Sequence, residues 1–118
     1  MLNQYYGSYM GIPGIVRTYK KYHTAEVIID EVSRYFGVRP HKVHTRTRSK
    51  EVVLARHFSM LMMLEYTRLS LKNIGVYFKR HHSTVIHARE TLNGYIKAKS
   101  ENKYKVDYDN IKSRLDAI

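Results

Sequence analysis

The sequence predicts an all-α fold, a small bundle of about five helices with an embedded helix-turn-helix. Apolar residues recur at helical spacing in five segments, no segment shows the convincing alternation of a strand, and a short polar turn separates two adjacent helical segments. At 118 residues the chain is long enough to bury a core, and the absence of cysteine excludes disulfides and thiolate metal ligands.

The first helical segment covers residues 24–36. Thr24 is a suitable N-cap, Glu26 lies in the first turn, where the helix dipole favours an acid, and Gly37 ends the segment. Residues 1–22 contain three glycines and a proline and are expected to be a lead-in rather than core. They could be disordered, pack on the domain or lie along a nucleic acid, and residues 23–118 form the predicted domain.

The second helical segment, residues 49–67, follows a polar, basic connector at residues 38–47. Its large apolar share predicts the central helix of the bundle. We interpret its methionines, Met60, Met62 and Met63, as core filler rather than as an adaptable binding surface.

Two further segments predict the helix-turn-helix. A short helix at residues 70–78, with Ser70 as N-cap, is followed by a turn at residues 79–82 and a helix at residues 83–97. In such a unit the first helix braces the second, and the N-terminal residues of the second meet base edges in the major groove. A last short helix is expected around Tyr108, Ile111 and Leu115.

The charge distribution predicts a polyanionic partner. The formal net charge is +11, and the surplus is concentrated in two blocks: residues 39–58 hold six basic residues and one acidic one, and residues 79–100 hold five and one. Nucleic acid is the leading partner and an anionic membrane surface the second. No signal peptide and no apolar run of membrane-spanning length are recognisable, so a cytoplasmic protein is expected.

Three features of the composition suggest other functions, namely the histidines, Ser83 and the tyrosines. Seven histidines suggest a metal site. Their spacing and the absence of cysteine, however, favour side chains that face solvent or phosphate. Nothing aligns a base with Ser83 as a nucleophile, so no enzyme is predicted. The eleven tyrosines could stack on single-stranded bases, although their spread is more typical of core and rim positions.

The helix-turn-helix also carries a resemblance. The runs IGVYF at residues 74–78 and HSTVIHA at residues 82–88 resemble the signature of the C-terminal DNA-binding domain of the bacterial replication initiator DnaA, typically IGxxFGGRDH[ST]TVxHA. The run RSKEVVLARH at residues 48–57 resembles that family's basic loop and the helix that follows it, RSRxxxxPRQ. The resemblance covers roughly residues 24–115 and implies an all-α, Trp-repressor-like domain that binds double-stranded DNA.

The resemblance implies a role for each matching residue. Arg48 would enter a minor groove and read A·T-rich shape, Lys50 and Arg56 would contact phosphate and groove, and the start of the second helix would meet bases in the major groove. His87 matches the second histidine of the signature, and either a phosphate contact or packing on the bracing helix fits its position. The full set of predicted DNA-binding residues is Arg46, Arg48, Lys50, Arg56, His57, Lys79, Arg80, His81, His82, Ser83, Thr84 and His87.

The sequence departs from the family pattern in two ways. The turn FGGRDH is FKRHH here, one residue shorter, without glycine, and with His81 at the place of an aspartate that can accept a hydrogen bond from cytosine. The 118 residues also lack the phosphate-binding loop GxxxxGK[ST] of an ATPase.

The sequence thus predicts sequence-specific binding of duplex DNA, resembling recognition of a replication origin, by a cytoplasmic, nucleoid-associated protein with no metal, cofactor, membrane or small-molecule substrate. Two alternatives remain: a binder of RNA or single-stranded nucleic acid, and a protein-interaction adaptor on the same scaffold.

Overall fold

The computed structural model describes residues 22–118, whose regular elements are all helices, with no strand among these residues. In chain order they form α1 (Ala25–Phe36), a 3-10 helix (Pro40–His44), α2 (Lys50–Tyr66), α3 (Leu71–Tyr77), α4 (His82–Ile96) and α5 (Lys103–Ala117). The prediction of an all-α bundle of about five helices is confirmed. The predicted lead-in, residues 1–22, lies outside the described residues except for Tyr22.

Capping residues set the bounds of α1 as the sequence indicated. The Thr24 side chain accepts a hydrogen bond from the backbone N–H of Val27. Gly37 ends the helix with φ +70°, a left-handed conformation that glycine adopts without steric cost. Ile28 and Val32 on the inner face are fully buried.

The core is built around α2, which packs against α1, α3 and α4. Met60, Met62 and Met63 are completely buried, so their interpretation as core residues is confirmed. Arg56 is also buried on this helix, at 5% exposure, and its role is described below.

The connector between α1 and α2 is more ordered than the sequence indicated. Pro40, whose fixed φ suits a first helical position, opens the 3-10 helix, and Val43 inserts into the core with no exposed surface. The Thr45 hydroxyl donates to the carbonyl of Lys42 at 2.6 Å and closes the turn. One buried valine thus anchors a segment that otherwise reads as polar.

The last helix, α5, is 15 residues long and packs across α1 and α4 through Ile111 and Leu115. Tyrosine hydroxyls tie it to the bundle: Tyr35 donates to Asp107 at 2.8 Å, and Tyr108 donates to Glu65 at 2.8 Å. Several tyrosines are therefore structural, as the sequence favoured. None of the helices among residues 22–118 is long and apolar enough to cross a membrane.

Candidate nucleic-acid interface

The helix-turn-helix consists of α3, the turn at residues 78–81 and α4. The turn closes on α3 through the backbone N–H of Arg80, which donates to the carbonyl of Gly75 at 2.8 Å. Lys79 adopts φ +57°, a left-handed conformation at a place where the related family carries glycine. The shorter turn therefore keeps a glycine-like backbone although it contains no glycine.

Gly75 allows this close approach between α3 and the turn. A Cβ atom at this position would lie 2.7 Å from the carbonyl oxygen of Arg80 and 3.1 Å from the backbone nitrogen of His82. Both neighbours are backbone atoms, which cannot move aside as a flexible side chain could. The glycine of the IG pair is thus required by the packing of the motif.

His81 is the N-cap of α4. Its Nδ1 accepts a hydrogen bond from the backbone N–H of Ser83 at 3.1 Å and lies 2.8 Å from the Ser83 hydroxyl. Because this cap precedes His82, α4 begins at His82, one residue earlier than predicted. The exposed first turn of α4 presents His81, His82 and Ser83 to solvent, whereas Thr84 is half-buried.

Arg56 holds the basic loop, which we define as residues 45–49. From its buried position on α2 it donates from Nε to the carbonyl of Val43 at 2.9 Å and from one terminal nitrogen to the carbonyls of Thr45 at 2.7 Å and Thr47 at 3.2 Å. The alternating residues Arg46 and Arg48 remain exposed.

The expected phosphate or groove contact of Arg56 is therefore revised. A side chain that is 5% exposed and donates three hydrogen bonds to the loop positions that loop. Burial, and secondarily the charge of Arg80, lower the pKa of Arg56 from its ordinary value. The sequence carried a signal of this burial, because Arg56 lies between Val52 and Met60 at helical spacing on the inner face of α2.

Arg80 joins the basic loop to the helix-turn-helix. Its guanidinium donates to the carbonyl of Phe78 in its own turn at 3.1 Å and to the carbonyl of Thr45 in the loop at 3.1 Å. The Thr45 carbonyl thus accepts from Arg56 and Arg80 together. Nothing in the sequence indicated this link, since the two partners are 35 positions apart.

A groove brings the start of α2 next to α4. Arg48, Lys50 and His57 line a cavity of about 330 Å³ together with Thr91 and Tyr95 of α4. The basic residues of the loop and of α2 therefore share one surface with the second helix of the motif.

Among the residues that the structure describes, the cations of this surface take part in no ion pair. Within residues 22–118 the ion pairs are Arg34–Glu31, Lys105–Glu101 and Lys112–Asp116, all of them elsewhere. Cations without carboxylates produce a positive potential that a polyanion can neutralise.

Burial and this positive potential together lower the pKa of two histidines. Burial, followed by the charges of Arg56, His87 and Arg80, lowers the pKa of His57. Burial, followed by the charges of Lys79, Arg56 and Arg80, lowers the pKa of His44. His87 itself is exposed on α4, which favours an outward-facing role over packing on α3.

The family model for the bacterial DnaA helix-turn-helix matches residues 25–92, from α1 to the last third of α4. The chain belongs to this family. The matched range contains the basic loop, α3, the turn and the first turn of α4. Family membership confirms the helix-turn-helix and makes the chain a DNA-binding domain, and the family is defined by this motif rather than by a catalytic site.

Chromosomal replication initiator proteins DnaA from several bacteria are similar to the chain. The protein of Chlorobaculum tepidum is 35% identical over 94 residues, which are 79% of this chain and 19% of that protein. The proteins of Bacteroides thetaiotaomicron and Flavobacterium psychrophilum are 30% and 34% identical over 88% and 85% of this chain. The chain spans about a fifth of the length of these relatives.

Proposed function

We propose that this domain binds duplex DNA in a sequence-specific manner, with the first turn of α4 in the major groove and Arg48 of the basic loop in an adjacent minor groove. The observation that carries the proposal is the Thr45 carbonyl, which accepts from Arg56 of α2 and Arg80 of the turn. Through this oxygen the two reading elements have a fixed relative position. A fixed spacing is what simultaneous contact with neighbouring grooves requires.

Each group of side chains has a distinct task in this arrangement. The exposed polar residues His81, His82 and Ser83 lie where a recognition helix meets base edges. The long, exposed cationic side chains of Arg46 and Arg48 extend from the basic loop, whose backbone accepts hydrogen bonds from the buried Arg56. The remaining predicted contacts would position the domain on phosphates: Lys50, His57, Lys79, Thr84 and His87.

The relatives are named as chromosomal replication initiators, and recognition of origin DNA is the role we assign to this domain. This role places the protein in the cytoplasm, on the nucleoid. No catalytic step, metal or cofactor belongs to the proposal, because binding of bases and phosphates by the residues above needs none.

The decisive experiment is selection of bound duplexes from a random pool, followed by measurement of Arg48→Ala on the selected and on a scrambled duplex. We expect Arg48→Ala to lose about 1–3 kcal/mol on the selected duplex, mainly through A·T-rich flanking positions. Lys97→Ala is the matched control, because it removes one exposed cation just beyond α4. It should weaken both duplexes alike and reduce the salt slope by at most about one.

The salt dependence tests duplex binding itself. The logarithm of the affinity should fall linearly with the logarithm of salt concentration, with a slope of about −4 to −7, because two basic blocks neutralise several phosphates. A slope near zero would contradict DNA binding. Equal losses for Arg48→Ala and Lys97→Ala on both duplexes would show that Arg48 contributes only a general positive charge. In a competition experiment, tighter binding of RNA or of single-stranded DNA than of duplex DNA would favour the single-stranded or RNA ligand instead.

A further inference from the structure

The hydrogen bond that caps α4 fixes which atom of His81 carries its proton. The backbone N–H of Ser83 can only donate, so Nδ1 of His81 must be the acceptor and must be free of a proton. A neutral imidazole whose Nδ1 accepts carries its proton on Nε2. In the part of the chain that the structure describes, Nε2 has no hydrogen-bond partner.

His81 is also held in orientation. Its ring lies against the ring of His82, with centroids 4.2 Å apart and planes inclined by 32°. Its Nδ1 contacts both the backbone nitrogen and the hydroxyl of Ser83. The ring is exposed at the start of the helix, so the Nε2 edge is available to a ligand.

We infer that His81 is a specificity-determining residue that offers a hydrogen-bond donor to the major groove and selects a base with an acceptor there, a guanine above all. Guanine presents two adjacent acceptors, N7 and O6, whereas cytosine presents an amino donor. An aspartate at the same position can cap the helix equally well but presents only acceptors. Histidine therefore offers the base a hydrogen-bond donor where aspartate would offer an acceptor, while either residue caps the helix.

This inference rests on the proposed function, because it needs the first turn of α4 in the major groove. Two variants separate capping from reading. Asparagine and aspartate have nearly the same shape and are both good N-caps, but asparagine can cap through its oxygen and present an outward amide donor. His81→Asn thus keeps the donor, and His81→Asp replaces it with an acceptor.

The experiment is duplex selection from one random pool with the unchanged chain, His81→Asn and His81→Asp, followed by affinities for duplexes that differ at the affected base pair. We expect the unchanged chain and His81→Asn to enrich guanine there, and His81→Asp to enrich a base that presents an amino donor. Each protein should prefer its own base by about 3- to 10-fold, the range for one net hydrogen bond.

Two other measurements complete the test. Nitrogen-15 NMR of the histidine rings should show the Nε2–H form of His81, and the Nδ1–H form would overturn the inference. His81→Ala should lower the midpoint of thermal unfolding, whereas His81→Asn and His81→Asp should not, because only alanine removes the cap.

The outcomes also distinguish this inference from the proposed function. Selected motifs that are identical for all three proteins would overturn the inference alone and leave His81 as a cap. Shared preference of His81→Asn and His81→Asp for an amino donor would overturn it as well. A chain that selects no duplex would overturn the proposed function and the inference with it.

Discussion

At the scale of single residues, Gly75 decides whether the helix-turn-helix can close. Its position opposite the backbone of Arg80 and His82 leaves no room for a side chain. We expect Gly75→Ala to lower the free energy of unfolding by about 1–3 kcal/mol, the usual cost of forcing extra volume into a packed site. Chemical denaturation of the two proteins measures this difference.

Gly94 provides the matched control for Gly75. It also lies in a helix, but a Cβ atom there would meet nothing within 4 Å. Gly94→Ala should therefore stabilise the domain by about 0.5–1 kcal/mol, because alanine loses less conformational freedom in a helix. If both substitutions shift the unfolding midpoint in the same direction, the close approach at Gly75 is not what constrains that position.

At the scale of elements, the basic loop depends on α2 and the turn for its shape. Arg56→Lys keeps the charge but cannot reach Val43, Thr45 and Thr47 at once, because an ammonium lacks the planar fork of a guanidinium. We expect specific affinity for the selected duplex to fall about 10-fold, in the range of one or two lost hydrogen bonds. The salt slope should remain unchanged.

The control for Arg56→Lys is Arg46→Lys, which makes the same exchange at an exposed position of the same loop. Arg46→Lys should retain the stability of the protein and most of its specific affinity. A smaller loss from Arg56→Lys than from Arg46→Lys would mean that the buried guanidinium does not organise the loop. Titrations against the selected and the scrambled duplex provide the comparison.

The elements also differ in how well the sequence predicted them. Helices with an apolar stripe and a local cap, such as α1 with Thr24 and α3 with Ser70, were predicted to within one residue, because the signals lie inside the segment. The 3-10 helix was missed because its one buried residue, Val43, stands among polar neighbours. The spacing of Arg56 with Val52 and Met60 indicated its burial, but its hydrogen-bond partners are backbone carbonyls, which side-chain patterns do not identify.

The features of the candidate site also differ in whether the sequence could predict them. The exposed residues of the recognition helix could be predicted from local pattern and from family resemblance. The link from Arg80 to Thr45 could not, since it joins segments far apart in sequence through a backbone oxygen. His81 stood out as a departure from the family, but its capping role depends on the backbone geometry of the shortened turn.

At the scale of the whole molecule, two carboxylates accept hydrogen bonds far from the basic loop. Glu65 and Asp116 accept hydrogen bonds from Tyr108 and Tyr66, toward the far end of α2. Glu65 is 15 residues from Lys50, about 22 Å along the helix. Burial, followed by these carboxylates, raises the pKa of both tyrosines. These two carboxylates are thus held at a distance from the basic loop, where they would otherwise compete with phosphate.

Burial of two histidines beside the cations of the basic surface makes stability depend on pH. The pKa of His57 and that of His44 are lowered in the folded domain, so the unfolded chain binds more protons at mildly acidic pH. The free energy of unfolding should therefore decrease as pH falls through about 6.5, the ordinary histidine value. His57→Gln should show a smaller decrease, measured by denaturation between pH 8 and about pH 5.

Bound DNA should shift the pKa of His57 in the opposite direction to folding. Phosphates next to the basic surface would offset the positive charges of Arg56 and Arg80 that disfavour a charged His57. Binding would then raise the pKa of His57 and take up a proton, so the affinity for duplex should increase as pH falls from about 8 to 6 at constant ionic strength. His57→Gln keeps a polar side chain that does not titrate and should reduce this increase. Equal pH profiles for the two proteins would show that the His57 ring lies away from the phosphates, which would shift the DNA path toward Arg48 and the first turn of α4.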